Sequence, residues 1–317
     1  WSPNIRTSTQ WYVSRYGLRA VNHDILNNQE LIQENDVLDM GLKLDARIQL
    51  SNMVELFTGY QFSEVGVTNL EDINNPPFYR NKKEVLRTHV LFAESIYSPS
   101  KMTSIRAGIR ANGFTKFDKI RIEPRIVASH KLSDHFSLEF LGEMKSQTTT
   151  QVIDLQNDFL GVEKRKWVLA NESDIPIIKS KQLSVGANYQ RDALLVSLEG
   201  YSKWVDDIIT SSQGFQNQFE FVRASGSYAV YGIDLLVNRK ISKFNSWISY
   251  SFAKSDYRFE SLTPSTFPNN LDIRHRATWG ISYGSDHFDI SVGINWRNGK
   301  PYTEPLSATS VVNAEIQ

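Results

Sequence analysis

From His287 to Arg297 the chain alternates without a break. Phe288, Ile290, Val292, Ile294 and Trp296 are apolar, while His287, Asp289, Ser291, Gly293, Asn295 and Arg297 are polar or small. Successive side chains of a strand point to opposite faces, so this segment has one greasy face and one wet face. Its eleven residues are enough for a tilted strand to cross the hydrocarbon core of a bilayer.

The same alternation recurs along the chain. It is clearest from Val37 to Leu50, where Leu38, Met40, Leu42, Leu44, Ala46, Ile48 and Leu50 oppose Val37, Asp39, Gly41, Lys43, Asp45, Arg47 and Gln49. Helical spacing does not compete in such windows. Thirteen strands are predicted, near 8–21, 37–50, 53–64, 85–97, 102–112, 119–130, 135–146, 181–190, 193–205, 226–240, 245–257, 274–284 and 287–297.

Connections alternate in length. Short polar turns at Ser51-Asn52, Ser98 to Lys101, Lys131 to Asp134, Arg191-Asp192, Ile241 to Phe244 and Ser285-Asp286 separate longer links near 22–36, 65–84, 147–180, 206–225 and 258–273. The link at 113–118 breaks the rule. Short turns on one side and long loops on the other is the layout of a membrane β-barrel. The expected fold class is therefore all-β, a transmembrane antiparallel barrel, with residues 1–317 forming part of one barrel domain. Aromatics at the strand ends (Tyr60, Phe62, Tyr97, Tyr189, Tyr201, Trp204, Tyr257, Trp296) mark the expected girdles. A soluble β-sandwich or soluble barrel would also alternate, but strands usually run only about five or six residues, and the polar faces here hold many charges, including Lys43, Asp45 and Arg47 on one strand and Glu139, Glu143 and Lys145 on another.

Composition agrees. Lys+Arg and Asp+Glu are 35 each, which gives no basic surface for nucleic acid. Cysteine is absent, which excludes disulfides and thiolate metal sites. No apolar run approaches the ~18 residues of a membrane helix. The mean hydropathy of -0.37 does not count against a barrel, whose apolar residues are dispersed by alternation. Trp1 is preceded by no start or signal pattern, and Val311 to Gln317 is polar with no closing strand. The chain is thus expected to be an interior segment of a longer protein that supplies the strands closing the barrel, since an unpaired edge is not tolerated in lipid.

Several stretches resemble TonB-dependent receptors of Gram-negative outer membranes. They are Trp204-Val-Asp-Asp-Ile-Ile-Thr, the run from Ser212 to Val222, Tyr231 to Val237, Phe267 to His275, Asn295 to Pro305 and Ile153 to Gly161. Residues from about 135 to 305 carry the resemblance, and the N-terminal third shares its pattern more than its words. The resemblance implies a barrel of 22 strands with a plug inside, of which this chain would hold about thirteen. It implies residence in the outer membrane, contact with its lipid, and TonB as a partner through a segment not in this chain. It also implies a small nutrient ligand (an iron chelate, vitamin or oligosaccharide) and admits a surface lipoprotein as a further partner. Plug and TonB-binding segment are absent from the sequence. An unplugged diffusion channel, or a barrel acting as a surface-binding or secretion-accessory protein, are the alternatives.

Catalytic chemistry finds no support. His23, His89, His130, His135, His275 and His287 form no metalloprotease pair, and no nucleophile elbow, P-loop or dinucleotide fingerprint occurs. The expectation is no enzyme, no cofactor and no metal site, with ligand-binding residues unassigned. His130 and His135 flank one turn, Asp206-Asp207 is expected to open a loop, and Asn171-Glu172-Ser173 fits a glycosylation sequon. Lys43, Asp45, Arg47, Arg87, His89, Arg106, Arg110, Arg121, Glu123, Arg125, Glu139, Glu143 and Lys145 are expected to face the lumen and to pair with one another or with a plug. Lys164-Arg165-Lys166-Trp167 could meet an anionic ligand or be a solvated loop.

Overall fold

The computed structural model describes residues 2–154, 164–171, 173–215, 222–304 and 315–316. Its strands are β1 (Ile5–Asp24), β2 (Gln29–Gln49), β3 (Val54–Asn74), β4 (Pro77–Ser100), β5 (Thr103–Phe114), β6 (Lys119–Lys131), β7 (Phe136–Gln147), β8 (Thr149–Asp154), β9 (Lys164–Leu169), β10 (Ile178–Arg191), β11 (Leu194–Ile209), β12 (Ser225–Ile241), β13 (Phe244–Arg258), β14 (Thr266–Pro268), β15 (His275–Gly284), β16 (Asp289–Arg297), β17 (Thr303–Glu304) and β18 (Glu315–Ile316). One helical turn, α1 (Thr210–Gln213), follows β11. No described helix is long and apolar enough to cross a membrane.

The thirteen expected strands all form, and they pair antiparallel in the order β1-β2-β3-β4-β5-β6-β7-β10-β11-β12-β13-β15-β16. The short β14 adds to the end of β13, and β8 and β9 form a separate hairpin. Each strand pairs with its neighbour in sequence, apart from the β8–β9 and β14 insertions, as short turns between antiparallel strands dictate.

The register lines up the alternation of every strand. Trp11 pairs with Leu42, Leu42 with Phe62, Phe62 with His89, His89 with Gly113 and Gly113 with Ile120. At the other end Ile233 pairs with Phe252, Ile248 with Trp279, and Trp279 with Ile294. Directly paired residues share a face, so the apolar faces merge into one outer surface. This surface is exposed: Trp11 is 74% exposed, Leu91 65%, Val185 59% and Trp296 56%.

Aromatic side chains bound this apolar band at two levels. At the upper level the Tyr60 hydroxyl lies 2.8 Å from His89 Nδ1, with Phe62 5.3 Å from the same imidazole. The arrangement repeats with Tyr250, Phe252 and His275 at 2.8 and 5.3 Å. Trp204 Nε1 donates to the Tyr231 hydroxyl at 3.2 Å. At the lower level Phe244 packs tilted against Tyr283 at 4.8 Å, and Tyr283 meets Phe288 at 5.7 Å. His89 and Tyr97 lie eight residues apart on β4. That is ~26 Å along a strand, or ~20 Å of height at a tilt of ~40°, close to the ~25 Å apolar band of a membrane barrel.

On the inner face, several large aromatics lie flat over a glycine of the next strand. A Cβ at Gly280 would stand 2.2 Å from the Trp247 ring, and one at Gly232 would stand 2.3 Å from that of Tyr201. Both glycines are the direct partners of those aromatics. Tyr201 therefore belongs to the inner face and not to a girdle. Tyr257, 3% exposed, is buried among loops.

Two expected loops are strand. Links 22–36 and 65–84 shrink to turns at 25–28 and 75–76, because β1 to β4 continue well past the apolar band. Backbone pairing does not depend on hydropathy, so strands can outrun the alternation that reveals them. Here the polar extension carries a ladder of outer-face ion pairs: Arg15–Asp36 at 3.3 Å, Arg19–Glu34 at 3.1 Å and His23–Glu30 at 3.2 Å. Asn74 ties the two turns together by accepting from the Glu30 amide at 2.7 Å.

The longer links that remain fold back over the inner face. The β8–β9 hairpin and the segment after it bury Leu169, Ala170 and Ile177 against Val67, Leu86, Phe114 and Phe117. The loops after β11 and β13 pack together through Val205, Ile208, Phe215, Tyr257, Phe259, Leu262 and Phe267.

Candidate functional site

A cavity of about 630 Å³ opens where the extensions of β3 and β4 meet the β8–β9 hairpin and the α1 region. Alternation on β3 and β4 places Asn69, Glu71, Arg80, Lys82 and Glu84 on its wall. Lys166 and Val168 come from β9, Asn171, Ser173 and Asp174 from the loop beyond it, and Thr210, Ser211 and Arg223 from the other side. Lys82 pairs with Glu84 at 3.1 Å and Lys166 with Glu71 at 3.8 Å. Arg80 and Arg223 have no ion-pair partner among the described residues. The Ser173 hydroxyl and the Asn171 amide hold the Asp174 carboxyl below the usual carboxylate range, so it stays ionised at neutral pH.

The hairpin forming one wall hangs on two asparagines. Asn35, 5% exposed, accepts from the Trp167 amide at 3.0 Å and donates to Asn69 at 2.8 Å. Asn69 in turn donates to the Trp167 carbonyl at 3.2 Å. Replacing Asn35 with alanine removes these bonds and leaves Trp167 and Asn69 groups unpaired, at a cost of ~1–3 kcal/mol. Amide exchange at Val168 and Leu169 should speed up, while exchange in β10 stays unchanged.

Below the layer of Leu86 and Phe114 the inner wall is charged, and a second cavity of about 570 Å³ lies against it. Lys43 sits 5.3 Å from the Phe57 ring and 5.6 Å from that of Phe92, with Asp45 at 3.6 Å. Arg47 pairs with Glu55 at 3.4 Å, and Lys145 with Glu143 at 2.8 Å. Glu94 takes both Arg106 and Arg125, at 3.4 and 3.5 Å. Both signs occur on this wall, and each of these cations lies within 4 Å of an acid. Each partly exposed pair contributes ~0–1 kcal/mol.

Most residues expected in the lumen are on this face, with Arg121, Glu123, Glu139 and Glu143 reached through the β5–β6–β7–β10 register. Arg87 and His89 are not. They pair with Glu64 and Phe62, which share the outer face with Leu42. Arg87 Nε bonds Glu64 at 2.6 Å, just above the apolar band. The sequence of β4 has apolar residues on both faces, with Leu86, Val90 and Phe92 on one and Leu91 and Ala93 on the other. Alternation alone therefore could not fix its facing, and the register with β3 does.

Other expected sites resolve plainly. His130 Nδ1 bonds the Thr103 hydroxyl at 2.8 Å instead of forming a pair with His135. No group of three or more metal-ligating side chains occurs among the described residues. Asp206 and Asp207 do not open a loop: they lie inside β11 at a bulge, where Asp207 takes a left-handed φ of 64° and binds Lys179 at 2.5 Å. Of the cationic cluster, Lys166 reaches the cavity and Trp167 serves through its backbone. In the sequon Asn171 is engaged in its own turn, accepting from the amides of Ser173, Asp174 and Ile175 at 3.0, 2.9 and 3.1 Å. Glu172, residues 155–161 and 216–221 of two resembling motifs, Pro305, and the ends at Trp1 and 311–314 lie outside the described residues. Arg80, Lys82 and Arg223 were missed because they sit in segments expected to be loops. The density of charge from Glu71 to Glu84 was the available signal.

The comparisons agree with this architecture. The family model for "TonB dependent receptor-like, beta-barrel" matches residues 1–316. Among solved structures, the unliganded ferric citrate transporter FecA superposes with a TM-score of 0.70 at 10% identity, over 95% of this chain and 48% of that one. The copper transporter OprC gives 0.66 at 15% identity, over 93% and 49%. The ferric yersiniabactin uptake receptor FyuA from Yersinia pestis gives 0.64 at 10%, over 92% and 46%. The chain thus spans about half the length of these structures, and at such identities they establish the fold alone. No curated protein matches by sequence. These neighbours are transporters and receptors, not enzymes, and members of the matched family reside in the outer membrane. With a family model covering nearly its whole length, the chain belongs to the TonB-dependent receptor β-barrel family.

Proposed function

We propose that this chain is part of the barrel wall of a TonB-dependent outer-membrane transporter that takes up a scarce, anionic nutrient ligand. The observation that carries this is the cavity at the loop end of the barrel wall, with Arg80 and Arg223, which have no ion-pair partner among the described residues, beside Lys82 and Lys166. Among the described residues, four cations there face three acids, Glu71, Glu84 and Asp174, two of which are already paired. Such a wall favours an oxygen-rich anion, a class that includes ferric citrate, which the structurally similar FecA transports. In this reading the apolar band between the aromatic levels contacts lipid. The plug and the TonB-binding segment come from parts of the protein outside this chain, and a surface lipoprotein can cap the loops.

The test is uptake by cells carrying the intact protein. An iron-free strain is offered labelled ferric carboxylate chelates with and without a functional proton motive force. Energised cells should accumulate one of them. Arg80→Gln combined with Arg223→Gln should raise the concentration for half-maximal uptake at least about tenfold, ~1.4 kcal/mol, the loss of about one charge-assisted bond. Uptake indifferent to energy, together with a large steady conductance of the intact protein in planar bilayers, would support the unplugged channel instead.

A further inference from the structure

Asn112 and Arg121 are direct cross-strand partners on the inner faces of β5 and β6. Asn112 is 5% exposed and lines the lower cavity. Its Nδ2 and the Nε of Arg121 are both buried with no hydrogen-bond partner among the described residues. Buried donors of this kind are rare in folded proteins, and two on paired positions, with Cβ atoms ~5 Å apart, are rarer still.

The orientation of the amide is fixed by its surroundings. Arg110 Nε lies 2.8 Å from Asn112 Oδ1, and its Nη1 lies 3.2 Å from Gln61 Oε1. A guanidinium only donates, so the asparagine must present its oxygen to Arg110 and its NH₂ away from it. The nearby acid cannot fill the gap. Glu123 Oε1 accepts from the amide and hydroxyl of Ser146, at 2.8 and 2.5 Å, and its other oxygen lies 3.9 Å from Arg110. Glu94 already serves two arginines. Among the described residues, the wall therefore leaves one amide N–H and one guanidinium N–H buried without an acceptor.

We propose that Asn112 and Arg121 form a binding site for a carboxylate on the lumen wall, separate from the outer cavity and below the apolar layer of Leu86 and Phe114. A carboxylate supplies two coplanar acceptors, one for Asn112 Nδ2 and one for Arg121 Nε, and its charge balances Arg121. The carboxylate belongs either to a dissolved acid passing through the lumen or to a side chain of a protein segment lodged there. This site does not depend on which ligand the outer cavity takes.

The test uses the intact protein in detergent micelles, with Asn112→Leu and Arg121→Met as separate variants. Thermal midpoints are measured in sodium acetate and in sodium chloride of equal ionic strength. A dissolved carboxylate is identified if acetate raises the wild-type midpoint and raises neither variant's. A carboxylate built into the protein is identified if acetate moves nothing and both variants melt several degrees below wild type. The proposal is overturned if acetate moves nothing and Arg121→Met melts at or above the wild-type temperature. That sign is read at Arg121, because exchanging an unpaired buried donor for an apolar side chain is neutral or stabilising, whereas Asn112→Leu also removes the oxygen that accepts from Arg110. Arg80→Gln in the outer cavity serves as the control: it should weaken ligand uptake and leave the acetate response intact.

Discussion

Replacing Val185 with arginine is expected to destabilise the folded barrel by ~2–4 kcal/mol and to cut its yield in the outer membrane sharply. Val185 stands on the apolar outer face, 59% exposed, midway along β10 and four residues from the lower-level Tyr189. In the proposed bilayer setting, a guanidinium there sits at the depth where lipid offers no hydrogen-bond partners and the side chain has the longest reach to either headgroup layer. Asn188→Arg, on the same strand but on the inner face, should be nearly silent, since its surroundings are polar and wet. Urea-unfolding midpoints of the two variants in lipid vesicles measure the difference. Equal losses would mean that the two faces of β10 are not in different solvents.

Phe259→Ala should cost about 3–5 kcal/mol, felt at the loop end alone. Phe259 is fully buried and stacks on Phe267 at 6.2 Å with an interplanar angle of 18°. Phe215 meets it edge-on at 5.7 Å, and Gly226 leaves it room, since a Cβ there would stand 2.4 Å from its ring. The cluster welds the loop after β11 to the loop after β13. Polar bonds reinforce the joint: the Tyr257 hydroxyl donates to Gln213 Oε1 at 2.9 Å, and Asn270 donates to the Gln213 carbonyl at 3.0 Å. Truncating Phe259 should therefore speed amide exchange at both Thr210 to Phe215 and Leu262 to Phe267 while leaving β12 and β13 protected. Faster exchange in one loop alone would show that the two do not behave as a unit.

The barrel wall was legible in the sequence where burial imposed a period. In β2, β10 and β16 one face is apolar and the other is not, so hydropathy alternates and both strand and facing follow. The legible part ends where that constraint ends. The upper halves of β1 to β4 are held by backbone pairing and by ion pairs such as Arg19–Glu34, which leave no hydropathy period, so strands there resembled loops. In β4, Leu86 and Val90 are buried beneath Phe114 and the β8–β9 hairpin, each 1% exposed. That tertiary cover made the inner face apolar too and concealed the outward facing of Arg87 and His89. The outer cavity was hidden for a related reason. Its residues come from β3, β4, β9 and the segment after α1, which are brought together by Asn35 and Asn69 gripping Trp167 over more than ninety residues of chain. Nothing local marks such a contact. Lys166 was visible as part of a cationic run, whereas Arg80 and Arg223 carry no sequence motif.

The central claim is that one face of this sheet meets lipid and the other meets water. Spin labels on single cysteines at 183 to 189 of β10, introduced one at a time into the intact protein in vesicles, test it most directly, because the chain has no cysteine of its own. Accessibility to oxygen, which partitions into lipid, should peak at 183, 185, 187 and 189. Accessibility to a water-soluble nickel chelate, or steric shielding from both reagents, should mark 184, 186 and 188. Accessibility that rises and falls with any period other than two, or that is aqueous at 183, 185 and 187, would contradict the barrel wall described here.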